Sequence, residues 1–187
     1  VCAHAHRLGL LVHMDGSRLT YAAAALDVPL RALTTDAGVD AVSFGGTKIG
    51  LLFGEVVVTL RPELGRALPY VRKGAMQLPS KMRFVAAQFE ALLGGDLWLR
   101  NARHANAMAA RLAEAVRGLP GLRIVQPPQA NAVFAVLPRE VTARLQRRYR
   151  FHVTDAATGE VRWMTAFDTT EEDVDAFAAA IAEELGR

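Results

Sequence analysis

"LLVHMDGSRLTYAAAALDVPLRALTTDAGVDAVSFGGTK", residues 10–48, is the stretch whose reading decides the fold. Two short apolar runs, Leu10 to Met14 and Ala41 to Phe44, each end on polar residues. Asp15-Gly16 follows the first, and Gly45-Gly46-Thr47-Lys48 follows the second. Short apolar runs bounded by glycine read as strands, and the alanine-rich segment from Leu19 to Leu26 between them reads as a helix. Strand, helix, strand at this spacing is the α/β pattern. The first strand is expected to be buried and to deliver an acid at its carboxyl end. After the glycine hinge the chain is expected to run back as Leu51 to Leu60.

Working outward, Cys2 to Leu8 has the character of the last turns of a helix, ended by Gly9. On the other side the chain turns helical from Pro62. Pro79-Ser80 opens a helix to about Leu93, and Gly94-Gly95 breaks it. A second helix starts near Asp96 and places Ala105, Met108, Ala109, Leu112, Val116 and Leu119 on one face, stopping at Gly118 to Gly121. The texture then changes to short strands at Leu122 to Val125, Ala132 to Val136 and Val161 to Thr165, with a helix opened by Pro138 between the last two. The last helix takes Thr169 or Thr170 as its N-cap, with acids three residues later, and buries Val174, Phe177, Ile181 and Leu185. A domain boundary is expected near Gly94 to Asp96, giving domains 1–95 and 96–187.

Composition bounds the function classes. With 187 residues and 51% hydrophobic content the chain can bury a sizeable core, and 22% charged residues without a long polar tract argue against disorder. A formal charge of +3 is too small to demand nucleic acid. No apolar run approaches the roughly 20 residues of a membrane span, and the start lacks a signal pattern, so the expectation is a cytoplasmic protein. The single cysteine, Cys2, has no partner for an internal disulfide and no metal-ligand spacing around it.

Lys48 can be read in two ways. Gly45-Gly46 can form a hairpin turn with Lys48 as a solvated turn residue. It is not a phosphate loop, because threonine precedes the lysine, and the dinucleotide glycine pattern is absent. Asp15 gives the lysine a second meaning. In an open α/β sheet, ligands sit beyond the carboxyl ends of the strands, so Asp15 and Lys48 can face one crevice. There they form either a plain salt bridge, worth about 0 to 1 kcal/mol when exposed, or the two sides of a cofactor site. Pyridoxal phosphate needs a lysine amine for its aldehyde and a carboxylate for its ring nitrogen.

Four blocks, "HMDGSR" (13–18), "SFGGTK" (43–48), "RKGAMQLPSKMRF" (72–84) and "RWMTAFDTTEEDVD" (162–175), together resemble the low-specificity L-threonine aldolases. These belong to the β-eliminating lyase group of pyridoxal-phosphate enzymes with the aspartate-aminotransferase fold. The resemblance implies an α/β protein: the C-terminal part of a fold-type I large domain at 1–95, which binds pyridoxal 5'-phosphate, and a small α+β domain at 96–187. It implies that Lys48 bonds the cofactor and that Thr47 contacts its phosphate. It pairs Asp15 with the pyridine nitrogen, sets Arg18 near the cofactor hydroxyl and the substrate, and gives Arg162 the substrate α-carboxylate. Arg162 can otherwise be a strand-edge residue paired with Glu160 or solvent. The activity implied is cleavage of L-threonine and related β-hydroxy amino acids to glycine and an aldehyde. Another fold-type I lyase or aminotransferase would keep the same three residues; an inactive homologue retained for assembly is the other alternative, and intact Asp15, Lys48 and Arg162 argue against it.

Family members are roughly twice this length, so the chain is expected to be an N-terminally truncated fragment that binds the cofactor poorly alone. The resemblance implies a homodimer or homotetramer in the full-length parent, an amino acid substrate, and no nucleic acid, membrane or metal. Arg72, Lys73, Lys81 and Arg83 lie in a segment that in the family approaches the phosphate or a neighbouring subunit. His13 is expected to be a core or supporting residue and His104 a structural one. Arg144, Arg147, Arg148 and Arg150, with Tyr149 and Phe151, are expected to form a solvated helix end rather than a nucleic-acid surface.

Overall fold

The computed structural model describes residues 1–187. They form two compact units, Val1–Arg100 and Asn101–Arg187.

In the first unit, α1 (Cys2–Arg7) leads to β1 (His13–Gly16), and α2 (Leu19–Leu26) with α3 (Leu30–Leu33) carries the chain across to β2 (Ala41–Gly45). β1 and β2 are parallel neighbours, with Asp15 opposite Ser43. A 3₁₀ turn at Thr47–Ile49 precedes β3 (Glu55–Thr59), which pairs antiparallel with β2. α4 (Pro62–Gly65), α5 (Leu68–Gly74) and α6 (Met82–Leu93) complete the unit, with the start of α7 (Leu97–Ala115). Because side chains alternate across a strand, Val42 and Phe44 enter a core with Leu19 and Val39, against which Met14, Leu30, Leu33 and Phe89 pack. His13, Asp15, Ser43 and Val57 share the other face.

That alternation corrects two expectations. β1 is not a buried strand: His13 and Asp15 are exposed, and Leu10 and Leu11 ahead of it are 57% and 55% exposed. It starts only at His13 because Asp40 occupies the backbone just before it: the Val12 N–H donates to Asp40 Oδ2 at 2.6 Å, and the Asp40 N–H donates to the Val12 carbonyl. The returning strand begins at Glu55 rather than Leu51, since Leu51 to Gly54 belongs to the loop closed by the Gly46 N–H on the Gly54 carbonyl at 3.2 Å.

In the second unit, β4 (Arg123–Ile124), β5 (Ala132–Val136), β6 (His152–Asp155) and β7 (Glu160–Met164) form an antiparallel sheet in the order β4-β5-β7-β6. α8 (Arg139–Leu145) and α9 (Glu171–Leu185) accompany α7. Val133 and Ala135 of β5 and Val161 and Trp163 of β7 meet Met108, Leu112, Val116, Val141, Leu145, Val174 and Ile181 in one core. Thr170 caps α9 through a reciprocal box: its hydroxyl accepts from the Asp173 N–H at 3.0 Å, and Asp173 accepts from the Thr170 N–H at 2.9 Å. Arg147, Arg148 and Arg150 are exposed, as expected of a solvated helix end, with ion-pair and ring contacts beside them. Arg144 turns inward to Glu184, Arg148 reaches Glu183 at 3.7 Å, and Tyr149 stacks near Phe177 at 4.7 Å. No helix is long and apolar enough to cross a membrane.

Candidate active site

Residues from two loops meet at the carboxyl ends of β1 and β2, and glycines make the approach possible. A Cβ on Gly45 would stand 2.7 Å from the Ser17 carbonyl oxygen and 2.8 Å from Ser17 Cα, closer than real side chains come. A Cβ on Gly46 would meet the Gly54 carbonyl at 2.6 Å and Phe89 at 2.8 Å. The loop after β1, Asp15 to Arg18, is thereby seated directly on the turn that carries Lys48.

Asp15 is the next-to-last residue of β1 and is exposed. The Ser17 N–H donates to Asp15 Oδ1 at 3.0 Å. This backbone bond and the Ser17 hydroxyl hold the carboxyl below its usual range, and the positive charges of Lys48 and Arg18 add to the effect. Asp15 is thus an ionised carboxylate at neutral pH in a field set by two nearby cations. Arg18 is the N-cap residue of α2. Thr47 opens the 3₁₀ turn, and its hydroxyl reaches the Gly54 carbonyl at 3.5 Å while its N–H donates to Glu55 Oε1 at 3.4 Å. Lys48 is exposed, as is Thr47 before it, but Ile49 after it is fully buried and Gly46 is closely packed. On the same sheet face the exposed His13 has its Nε2 2.8 Å from Ser43 Oγ, so it is not a core residue.

Arg162 belongs to the second unit. It stands on β7 opposite Phe134 of β5 and His152 of β6, on the face turned away from that unit's core. There it lines a cleft of about 530 Å³ together with Tyr149, Arg150, Phe151, His152 and Met164. Its Nε is buried and has no hydrogen-bond partner. The pairing with Glu160 considered from the sequence is not made, because Glu160 accepts from the Thr154 hydroxyl at 2.9 Å. A buried guanidinium N–H without a partner is costly to leave unmade, and a planar fork of this kind is suited to a carboxylate. His104, on α7, contacts the Thr169 carbonyl at 2.7 Å and is structural.

Several residues that shape the site escape a reading of the sequence. Ser17 had a signal: a residue two places after an aspartate is where an Asx turn donates its N–H. Tyr21, whose hydroxyl donates to the Lys48 carbonyl, had only the oddity of a phenol in an alanine-rich helix.

Residues 1–140 match the family model of the beta-eliminating lyases. The low specificity L-threonine aldolase of Pseudomonas aeruginosa is 40% identical over 187 residues, which is 100% of this chain and 54% of that protein. A Leishmania major threonine aldolase structure superposes with a TM-score of 0.85 at 25% identity, over 98% of this chain and 54% of that one. Oryza sativa TDC, solved with PLP and tryptamine, superposes with a TM-score of 0.73 over 100% of this chain and 44% of that one; at 18% identity the likeness speaks for the fold alone. The architecture is therefore the fold-type I α/β arrangement expected from the sequence. The chain spans about half the length of the curated relatives it matches. With the family model matched over well more than half of its residues, the chain belongs to the beta-eliminating lyase family.

Proposed function

We propose that this chain carries the lysine, the carboxylate and the arginine of a pyridoxal-phosphate-dependent aldolase that cleaves L-threonine and related β-hydroxy amino acids to glycine and an aldehyde. The observation that carries the reading is the ionised Asp15, held by Ser17 beside the loop of Lys48 at adjacent strand ends. The similarity to named threonine aldolases supports the substrate class.

When bound, pyridoxal phosphate supplies a ring that accepts electrons from a bond broken at the substrate's α carbon. Lys48 holds the cofactor through its side-chain amine. Asp15 would be the carboxylate partner of the ring nitrogen and would favour its protonated form, a role for which its low-lying pKa suits it. Thr47 offers its hydroxyl to the phosphate, and Arg18 stands by the cofactor hydroxyl and the substrate. Arg162, whose buried Nε–H lacks a partner, would grip the α-carboxylate and so orient the bonds at Cα. Threonine gives acetaldehyde as the β-hydroxyl proton departs, and a proton added at Cα completes glycine. The same reading carries a cytoplasmic homodimer or homotetramer.

The test, made with this chain carried in a protein of its relatives' full length, is borohydride reduction with added pyridoxal phosphate, peptide mass analysis, and an assay for glycine released from L-threonine. Cofactor mass on Lys48 together with glycine release supports the aldolase. Mass on Lys48 with amino transfer to a 2-oxo acid and no glycine would turn the reading to an aminotransferase, and no fixed mass would leave Lys48 a turn residue.

A further inference from the structure

We propose that Tyr21 is a positioning residue for Lys48, a tether between helix α2 and the turn that presents the amine. The inference rests on the reading of Lys48 given above. Within the 3₁₀ turn, the Ile49 and Leu51 N–H groups both donate to the Gly46 carbonyl, and the Gly50 N–H donates to the Thr47 carbonyl. The Lys48 carbonyl takes its hydrogen bond from outside the turn, from the Tyr21 hydroxyl 27 residues earlier. Tyr21 is 1% exposed, so its ring is fixed by packing and the direction of the hydroxyl follows from the ring. The next residue, Ile49, is fully buried. Lys48 is therefore held at its own carbonyl and at its neighbour's side chain while its amine stays free in solvent.

This arrangement separates two demands. The amine must move to reach and release a cofactor aldehyde, so the four-carbon arm is left mobile. The Cα from which the arm swings must stay put relative to Asp15, because misplacement by about 1 Å is enough to spoil reactive geometry. Tyr21 meets the second demand without touching the amine. It also ties the turn to α2, the helix whose N-cap residue is Arg18, so the Asp15–Arg18 loop and the Lys48 turn are fixed to one support.

The test compares wild type, Tyr21→Phe and Leu19→Val. Tyr21→Phe keeps the ring in its slot and removes the hydroxyl that makes the tether. Leu19→Val trims the neighbouring core and leaves the tether intact. Two quantities are read: amide hydrogen exchange at residues 48–51, and the rate at which borohydride fixes added pyridoxal phosphate to Lys48. In Tyr21→Phe, exchange at 48–51 is expected to quicken and trapping to slow, each by roughly tenfold, the scale of one part-buried hydrogen bond lost. Leu19→Val is expected to change neither by more than about twofold. Unchanged exchange and trapping in Tyr21→Phe, or equal effects in both variants, would overturn the tether. If wild type fixes no cofactor on Lys48, the functional reading fails while the exchange comparison still decides the Tyr21 contact.

Discussion

At the scale of single residues, Asp15 and Arg162 are prepared in opposite ways. Asp15 is exposed and kept ionised by its own turn, since the Ser17 N–H fills one lone-pair direction and leaves the rest of the carboxylate open. Asp15→Asn removes the charge while keeping an acceptor oxygen for Ser17. A charge-assisted hydrogen bond is worth about 1.5–3 kcal/mol, so kcat for threonine cleavage is expected to fall by about one to two orders of magnitude, with pyridoxal phosphate still fixed to Lys48 by borohydride. A variant with wild-type kcat would remove Asp15 from the reaction. Arg162 is instead half-buried with an unused Nε–H. Arg162→Lys keeps the charge and loses the fork, so KM for threonine should rise about tenfold or more with a smaller change in kcat. Steady-state kinetics across a series of amino acids would check it, and an unchanged KM would send Arg162 back to being a strand residue.

At the scale of elements, the site is made by the close approach of two loops, and Gly45 is the point of contact. Gly45→Ala places a methyl group 2.7 Å from the Ser17 carbonyl oxygen and 2.8 Å from Ser17 Cα, backbone that cannot swing away. Overpacking of this kind costs about 1–3 kcal/mol. The expected outcome is a moderate fall in thermal midpoint with a disproportionate loss of pyridoxal phosphate binding, because the shift falls between Asp15 and Lys48. Calorimetric titration of the cofactor would show it, and binding as tight as wild type would mean that the loops are not coupled. How much of this was legible in the sequence depends on the element. α2, β2, β5 and α9 stand where periodicity and caps put them, since each has one buried face or a strong N-cap. β6 went unread because all four of its residues are exposed, so no alternation marks it. The start of β1 was misplaced because an apolar run does not say which of its residues find a pairing partner. Asp15 and Lys48 could be read from their places after strands. Ser17, Tyr21 and the unpartnered Arg162 Nε depend on turn geometry or on contacts far along the chain, which spacing alone does not reveal.

At the scale of the whole molecule, buried or hydrogen-bonded carboxylates bind each unit's elements together, and they set how the protein meets acid. In the first unit Asp40, 2% exposed, accepts from the Val12 N–H at 2.6 Å and from Arg61, and lies 2.9 Å from His6 Nε2. One carboxylate thus joins α1, the chain entering β1, the start of β2 and the segment after β3. The Val12 bond above all, with His6 and Arg61, outweighs the opposing effect of desolvation and lowers its pKa to about 2. In the second unit Asp173, Asp175 and Glu184 are also lowered, by Thr170, Arg111 and Arg144 respectively. A lowered folded-state pKa means that the unfolded chain binds more protons below about pH 4, so stability rises with pH there. The Asp40 contribution is complete above its ordinary pKa of 3.8 and is lost as pH falls through about 2. The first unit is therefore expected to weaken between pH 4 and pH 2 and the second as pH falls below the ordinary carboxylate range, and hydrogen exchange of peptides from each unit reads them separately. Asp40→Asn should lower the protection of peptides from 1–100 at neutral pH, where His6 and Arg61 lose their charged partner. It should also flatten the acid dependence of those peptides while leaving that of 101–187 as in wild type. If the first unit of Asp40→Asn still loses protection between pH 4 and pH 2 as steeply as wild type, the acid limb comes from other carboxylates and Asp40 is not the group that binds these elements together.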